Sequence, residues 1–198
     1  MWRHPILKVL LVSYIVWGAW HWNANRPVRA PDGVLAAAEP QQTMIPEQRL
    51  QMGRWTLTVR ATYQLTARVL AREPYHFDAM SDLVPEDLAL GWGPMSDNSV
   101  LRTIDISQSN RFYYWRARSA TRLARETIIS HSANTHVIPQ TPAIARALAR
   151  LRPGEVVTLS GDLVDAVRDD GRSLKTSLVR TDTGAGACEV MLVTDVTT

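Results

Sequence analysis

Cysteine is almost missing from this chain: Cys188 stands alone in 198 residues. One thiol closes no intramolecular disulfide, and no CxxC pair or zinc-finger spacing exists. Lysine is nearly as scarce, with Lys8 and Lys175 set against twenty arginines. That imbalance reads as the composition of a GC-rich genome, and arginine in such number also suits anion binding. Neither charge is in large excess: the net value is +3, so bulk charge singles out no polyanionic partner. There is no internal repeat and no HExxH. RTDTGAG at 180–186 is no P-loop, because it lacks the lysine and the following helix that a phosphate cradle needs. With 45% hydrophobic and 21% charged residues, the composition is that of an ordinary globular domain. Without disulfides it must be held by its core, and about 150 residues suffice to build one.

Long apolar runs are confined to one place. Pro5 to Trp22 reads PILKVLLVSYIVWGAWHW, and eighteen helical residues span about 27 Å, the thickness of a hydrocarbon core. Lys8 lies one turn inside, where it snorkels. Trp17, Trp20 and Trp22 crowd the far end as an interfacial belt does. Arg3 and Lys8 precede the run and Arg26 and Arg29 follow it, so the expected orientation, N-terminus inside, rests on a small asymmetry. A cleaved signal peptide would need small residues at −3 and −1; Trp17 before Gly18-Ala19 fits poorly, and Ala36-Ala37-Ala38 is too distant. The expectation is a single transmembrane anchor over 1–24 in a bacterial inner membrane. A Pro-rich linker is expected over 25–52, broken by Pro27, Pro31, Pro40 and Pro46, and a β-rich domain over 53–198 outside the cytoplasm.

From Trp55 to Val69 apolar and polar residues alternate strictly, which predicts a long half-buried strand, bent midway. Pro85, Glu86 and Asp87 followed by Gly91 suit a short helix. Leu101–Ile106 and Phe112–Ala117 read as strands around the turn-like SQSN, and 127–138 is β-rich. Thr141-Pro142 starts a helix as N-cap and N1, with Ile144, Ala147, Leu148 and Leu151 on one face. Asp169-Asp170-Gly171 predicts a hairpin turn, and Cys188–Val193 a last apolar strand. The fold class is therefore mainly β (α+β) with one or two short helices. A helix between the third and fourth strands is the connection of a small OB-like barrel; a curved open sheet gives much the same pattern.

Six phrases carry a resemblance: YQLTARVLARE at 63–73, DLVPEDLALGWGPMSD at 82–97, FYYWR at 112–116, SANTHVIP at 132–139, LRPGEVVTLSGDLVD at 151–165 and RTDTGAGACEV at 180–190. In them the chain resembles an uncharacterised family of exported or membrane-anchored bacterial proteins. The resemblance spans most of 60–195 and implies a shared fold and an envelope location. It implies no activity and no residue roles.

Candidate chemistry is thin. His76, Asp78 and Asp82, with His131 and His136, are ligand types for zinc or manganese, but their spacing matches no metal motif, so no metal and no cofactor is expected. Catalytic candidates are His136, Asp182, Cys188 and Glu189: a thiol with a neighbouring imidazole and carboxylate is a nucleophilic set. The bland reading of Cys188, a small buried residue opening a strand, competes with it. Binding candidates are Trp92, in the Gly/Pro loop GWGPMSD, and Arg111, Tyr113, Trp115 and Arg116. Residues 111–152 carry eight arginines against one acid, Glu126, and NRFYYWRAR interleaves rings with charge, as a stacking platform for single strands does. The expected partners are the membrane through residues 5–22 and a protein, with a nucleic acid or other polyanion the weaker alternative. The expected role is a tethered binding or assembly module; the competing one is an envelope hydrolase using His136 with carboxylate partners.

Overall fold

A computed structural model of the chain describes residues 5–24, 26–184 and 186–198. The N-terminal run forms helix α1, Pro5–Ala24. Val9, Leu10, Leu11, Val12, Ile15 and Val16 are all more than half exposed, with no polar face between them. Among the described residues, however, no helix is long and apolar enough to cross a membrane, which departs from the expected span: Lys8, His21 and Asn23 dilute the apolar run of α1. Arg3 and the side chains of Trp17, Trp20 and Trp22 lie outside the described residues.

The rest is mainly β. β1 is Gln41–Met52, β2 Trp55–Pro74, β3 Glu86–Gly91, β4 Ile104–Ser109, β5 Phe112–Ala117, β6 Ser132–Pro139, β7 Val156–Arg168, β8 Ser173–Leu174 and β9 Glu189–Thr197. The short helices are α2 (Asn98–Leu101), α3 (Arg125–Ser130) and α4 (Pro142–Leu148). Five strands close a ring in the order β2-β3-β6-β9-β7, with β7 pairing back onto β2. Every pair in the ring is antiparallel except β6–β9. β1 pairs with the first half of β2, and β8 with the end of β7.

The alternation of β2 is what builds the core. Trp55, Leu57, Val59, Ala61, Tyr63, Leu65, Ala67 and Val69 are all buried, and full burial of a Leu or Val side chain is worth about 1.5–3 kcal/mol. A register shift against β7 between Val59 and Ala61 bends the strand. Residues before the bend pack with Val164, Ala166, Val190, Leu192 and Ile138. Those after it line the ring interior with Leu88, Leu90, Val137, Leu159, Leu163, Met191 and Val193. Helix α4 starts where expected, Thr141 accepting from the Ile144 N–H, and packs Ile144 and Leu148 onto that interior core. At Gly161 the ring is tightest: a Cβ there would sit 2.0 Å from the Leu192 carbonyl oxygen. A glycine lets two backbones approach at such a corner.

Two local readings are corrected. Residues 86–91 form strand β3 rather than a helix, all six of them buried between β2 and β6. Glu, Asp, Leu and Ala are good helix starters, but burial between two strands overrides local preference. The second half of the expected linker, Gln41–Met52, is strand β1. It tolerates Pro46 because the register shifts there, between Met44 and Gln48.

Candidate functional site

Side chains alternate across a strand, so the outer faces of β3, β6 and β9 present Asp87, Asn134 and His136, with Cys188 at the entrance to β9. Asp87 pairs with His136 across β3–β6, and Thr135 with Glu189 across β6–β9, which sets Asn134 beside Cys188. Asp87 is fully buried. His136 Nδ1 lies 2.8 Å from its Oδ1. The Cys188 sulfur is close enough on the same face for its interaction with the imidazole to raise the ring's pKa. The Asn134 amide donates to the Arg111 carbonyl at 3.2 Å, with longer contacts to Asp87 at 3.5 Å and to Cys188 Sγ at 3.6 Å. Its own oxygen accepts from Gln108 Nε2 at 2.7 Å.

The β4–β5 hairpin roofs this face. Its two-residue turn is Asn110-Arg111, both with positive φ, 54° and 70°. This mirror-image geometry matches strand twist but strains an arginine. The strain is held by what the side chain reaches. Arg111 donates to Asp78 at 2.7 and 2.8 Å, to Asp87 at 3.1 Å and to the Val84 carbonyl at 2.9 Å. Its guanidinium lies 3.7 Å from the centre of the Tyr75 ring.

Below the hairpin is a cavity of about 300 Å³. Tyr113 and Trp115 of β5 line one wall, and Ser132, Asn134, Asp182 and Cys188 line the other. Tyr113 donates to Ser132 Oγ at 3.3 Å, and burial pushes its hydroxyl up to about 12. Asp182 accepts from Ser177 Oγ at 2.7 Å.

Electrostatics divide the buried groups. Burial opposes a charge on His136, but hydrogen bonds to Asp87 and Cys188 outweigh it and raise its pKa from 6.5 to about 9. Glu189 shares the interior face of Met191 and Val193, the side of β9 opposite Cys188. Burial pushes its pKa to about 8, and Oε2 has no hydrogen-bond partner. It is a neutral carboxyl inside the ring rather than a partner of the thiol.

The remaining sequence candidates are placed elsewhere. Trp92 is buried in the core, its indole donating to Glu39 at 2.9 Å. The Arg116 side chain is 82% exposed and, with Arg118, pairs with Asp105. His131 contacts Glu39 at 3.2 Å, and His76 is exposed. Asp78 is held by Arg111, and Asp82 accepts from the Trp55 indole at 3.1 Å. Among the described residues no group of three or more His, Cys, Asp and Glu side chains is arranged to hold a metal. Of the catalytic candidates, Cys188 and Asp182 line the cavity, and His136 lies on the outer face beside it, paired with Asp87. Asp87 and Asn134 were missed: Asp87 reads as a helix-start acid in PEDL, and Asn134 as one more polar residue in SANTHVIP. No local signal marks Asp87, because EDLALG reads as a helix start until its two flanking strands are known. Compared with known proteins, the chain matches no family model, no curated protein and no solved structure.

Proposed function

We propose that this protein is a membrane-tethered binding module outside the bacterial cytoplasm, and that its ligand site is the cavity between β5, β6 and the segments 182–184 and 187–188. One observation carries the reading. Phrases from distant parts of the chain converge on that cavity: Tyr113 and Trp115 from FYYWR, Asn134 from SANTHVIP, Asp182 and Cys188 from RTDTGAGACEV. Half-buried rings facing a few polar groups are the usual lining of a small-ligand pocket, and about 300 Å³ is the lower end of such pockets. The barrel is read as OB-type: five ring strands, the third and fifth parallel, and a helix between the third and fourth. In that reading the hairpin covers the face on which such barrels commonly bind strands, so a small ligand replaces a nucleic acid. The tether is α1, whose apolar side chains point to all sides. A helix without a polar face gains by leaving water.

Two measurements test this. Fractionation should put the full-length chain in the membrane pellet, and removal of residues 1–24 should release it; soluble full-length chain sinks the tether. Titration with small aromatic ligands should quench tryptophan fluorescence, and Trp115→Phe should abolish the change. An unaltered signal in that variant removes the cavity as the site. A second reading, an envelope hydrolase using His136, is favoured by the 2.8 Å contact to buried Asp87. That distance is within reach for orienting a general base.

A further inference from the structure

We propose that Cys188 is a nucleophile, held beside the His136–Asp87 pair at the wall of the cavity, that takes acyl groups from small uncharged esters and thioesters. The inference rests on the cavity being a ligand site and adds the chemistry done there.

Three features of the structure carry it. The sulfur, the imidazole and the carboxylate lie in sequence on the outer faces of β9, β6 and β3, so the sheet register itself sets their order. Nucleophile, base and orienting acid in that order are what covalent acyl transfer requires. The relay is also locked. His136 Nδ1 is held by Asp87 at 2.8 Å, and Asp87 in turn by Arg111 at 3.1 Å, which fixes the ring on the outer face of β6. Finally, the exposure is graded. Asp87 and His136 are buried, whereas Cys188 is half-buried and lines the open cavity. A catalytic thiol meets solvent; its base stands behind it.

The cavity restricts the substrate. Its described lining holds one acid, Asp182, and no Lys or Arg. Arg116 and Arg125 line an adjoining pocket that shares Tyr113 and Trp115 rather than the cavity itself, so the cavity favours an uncharged acyl group. Tyr113 and Trp115 offer flat apolar surface to an acyl chain or ring.

The chemistry balances without any further cofactor. Cys188 attacks the carbonyl carbon as its thiol proton passes to His136, and an S–C bond forms. The carbonyl oxygen takes the negative charge next to the Asn134 amide, whose nitrogen lies 3.6 Å from the sulfur. As the tetrahedral intermediate collapses, the bond to the leaving oxygen or sulfur breaks and His136 gives it the proton. Water then attacks the thioester carbon, returning its proton to His136. The S–C bond breaks, the sulfur takes that proton back from His136 and the carboxylic acid departs.

The test uses the full-length protein in detergent with p-nitrophenyl acetate. The expected result is a burst of p-nitrophenol near one per chain, with an acetyl group on the Cys188 peptide by mass spectrometry. Cys188→Ser should lose the adduct, and His136→Gln should slow acylation by about 10²–10⁴-fold. In case His136→Gln fails to fold, the wild-type protein supplies an independent reading. A nucleophile held beside a base is alkylated by iodoacetamide faster at neutral pH than the same cysteine in the chain unfolded by urea, whereas an inert, half-buried thiol is alkylated more slowly. Absence of the acetyl adduct, or slower alkylation in the folded protein, overturns the nucleophile. p-Nitroacetanilide separates the two proposals. If it quenches Trp115 while no acylation occurs, the cavity stands and the chemistry falls. If it neither binds nor the ester acylates, both fall.

Discussion

Replacing Arg111 by methionine removes a guanidinium and keeps most of the apolar stem. Wild-type Arg111 is 9% exposed and holds Asp87, which is fully buried, together with Asp78 and the Val84 carbonyl. Breaking a buried ion pair from one side costs about 3–5 kcal/mol, because the remaining charge is stranded. Two circumstances move this protein to the lower end. The Asp78 side chain is 34% exposed, so water screens its share to under about 1 kcal/mol. Asp87 also keeps its contact with His136 Nδ1 at 2.8 Å. The expected loss is about 3 kcal/mol, which in a domain of this size lowers the melting temperature by roughly 6–12 °C. The assay is a thermal melt of the full-length protein in detergent, followed by circular dichroism. Asp87→Asn and the double variant complete a cycle, with a coupling of about 1–3 kcal/mol for residues in one network. A methionine variant melting within about 2 °C of wild type would refute the idea that this residue locks the hairpin onto the sheet.

Stability should depend on pH through Glu189. Its folded pKa is about 8 against 4.5 for the free group, so its contribution is complete below 4.5 and is lost as pH rises through 8. The expected slope in unfolding free energy approaches about −1.4 kcal/mol per pH unit in that window. His136, raised from 6.5 to about 9, loses its contribution as pH climbs from 6.5 through 9. Melts at a series of pH values should fall steadily in wild type and flatten over the lower window in Glu189→Gln; parallel curves would exclude a buried neutral carboxyl. Gly161→Ala should destabilise by about 3 kcal/mol or more by urea unfolding, since its Cβ would collide with the Leu192 carbonyl, and a neutral effect would mean the ring is looser than described. The double change Arg116→Gln, Arg118→Gln should move stability by under about 0.5 kcal/mol, because both side chains are more than half exposed. If those arginines attract anionic vesicles, flotation of the double variant should weaken, and the difference should vanish at about 1 M salt, where screening acts over about 3 Å.

The elements that carry their own pattern were legible. The alternation from Trp55 to Val69 announces β2 and its buried face. Thr141-Pro142 announces α4 with its cap, and Asp169-Asp170-Gly171 the turn after β7, which pairs with β8. β3 was not legible, because GluAspLeuAlaLeu has helical preferences and only two flanking strands make it extended. β1 was hidden by Pro46, which local rules count as a breaker and which the sheet tolerates at a bulge.

At the site the division is the same. Local sequence determines that Cys188 precedes an apolar strand, that His136 lies in another, and that the chain has one thiol to use. It does not determine that they meet. Asn134 and Cys188 are 54 residues apart, and Asp87 and His136 are 49 apart. The parallel β6–β9 pair that joins them comes from closing the ring, not from any turn. Arg111 shows the point most clearly. In sequence it is the first of eight arginines on a basic stretch. In the folded chain a left-handed turn points it inward, onto an acid that could not be buried without it. Periodicity and capping act within a few residues and can be read along the chain. Pairing of buried charges is decided by which strands end up adjacent, and that is a property of the closed barrel alone.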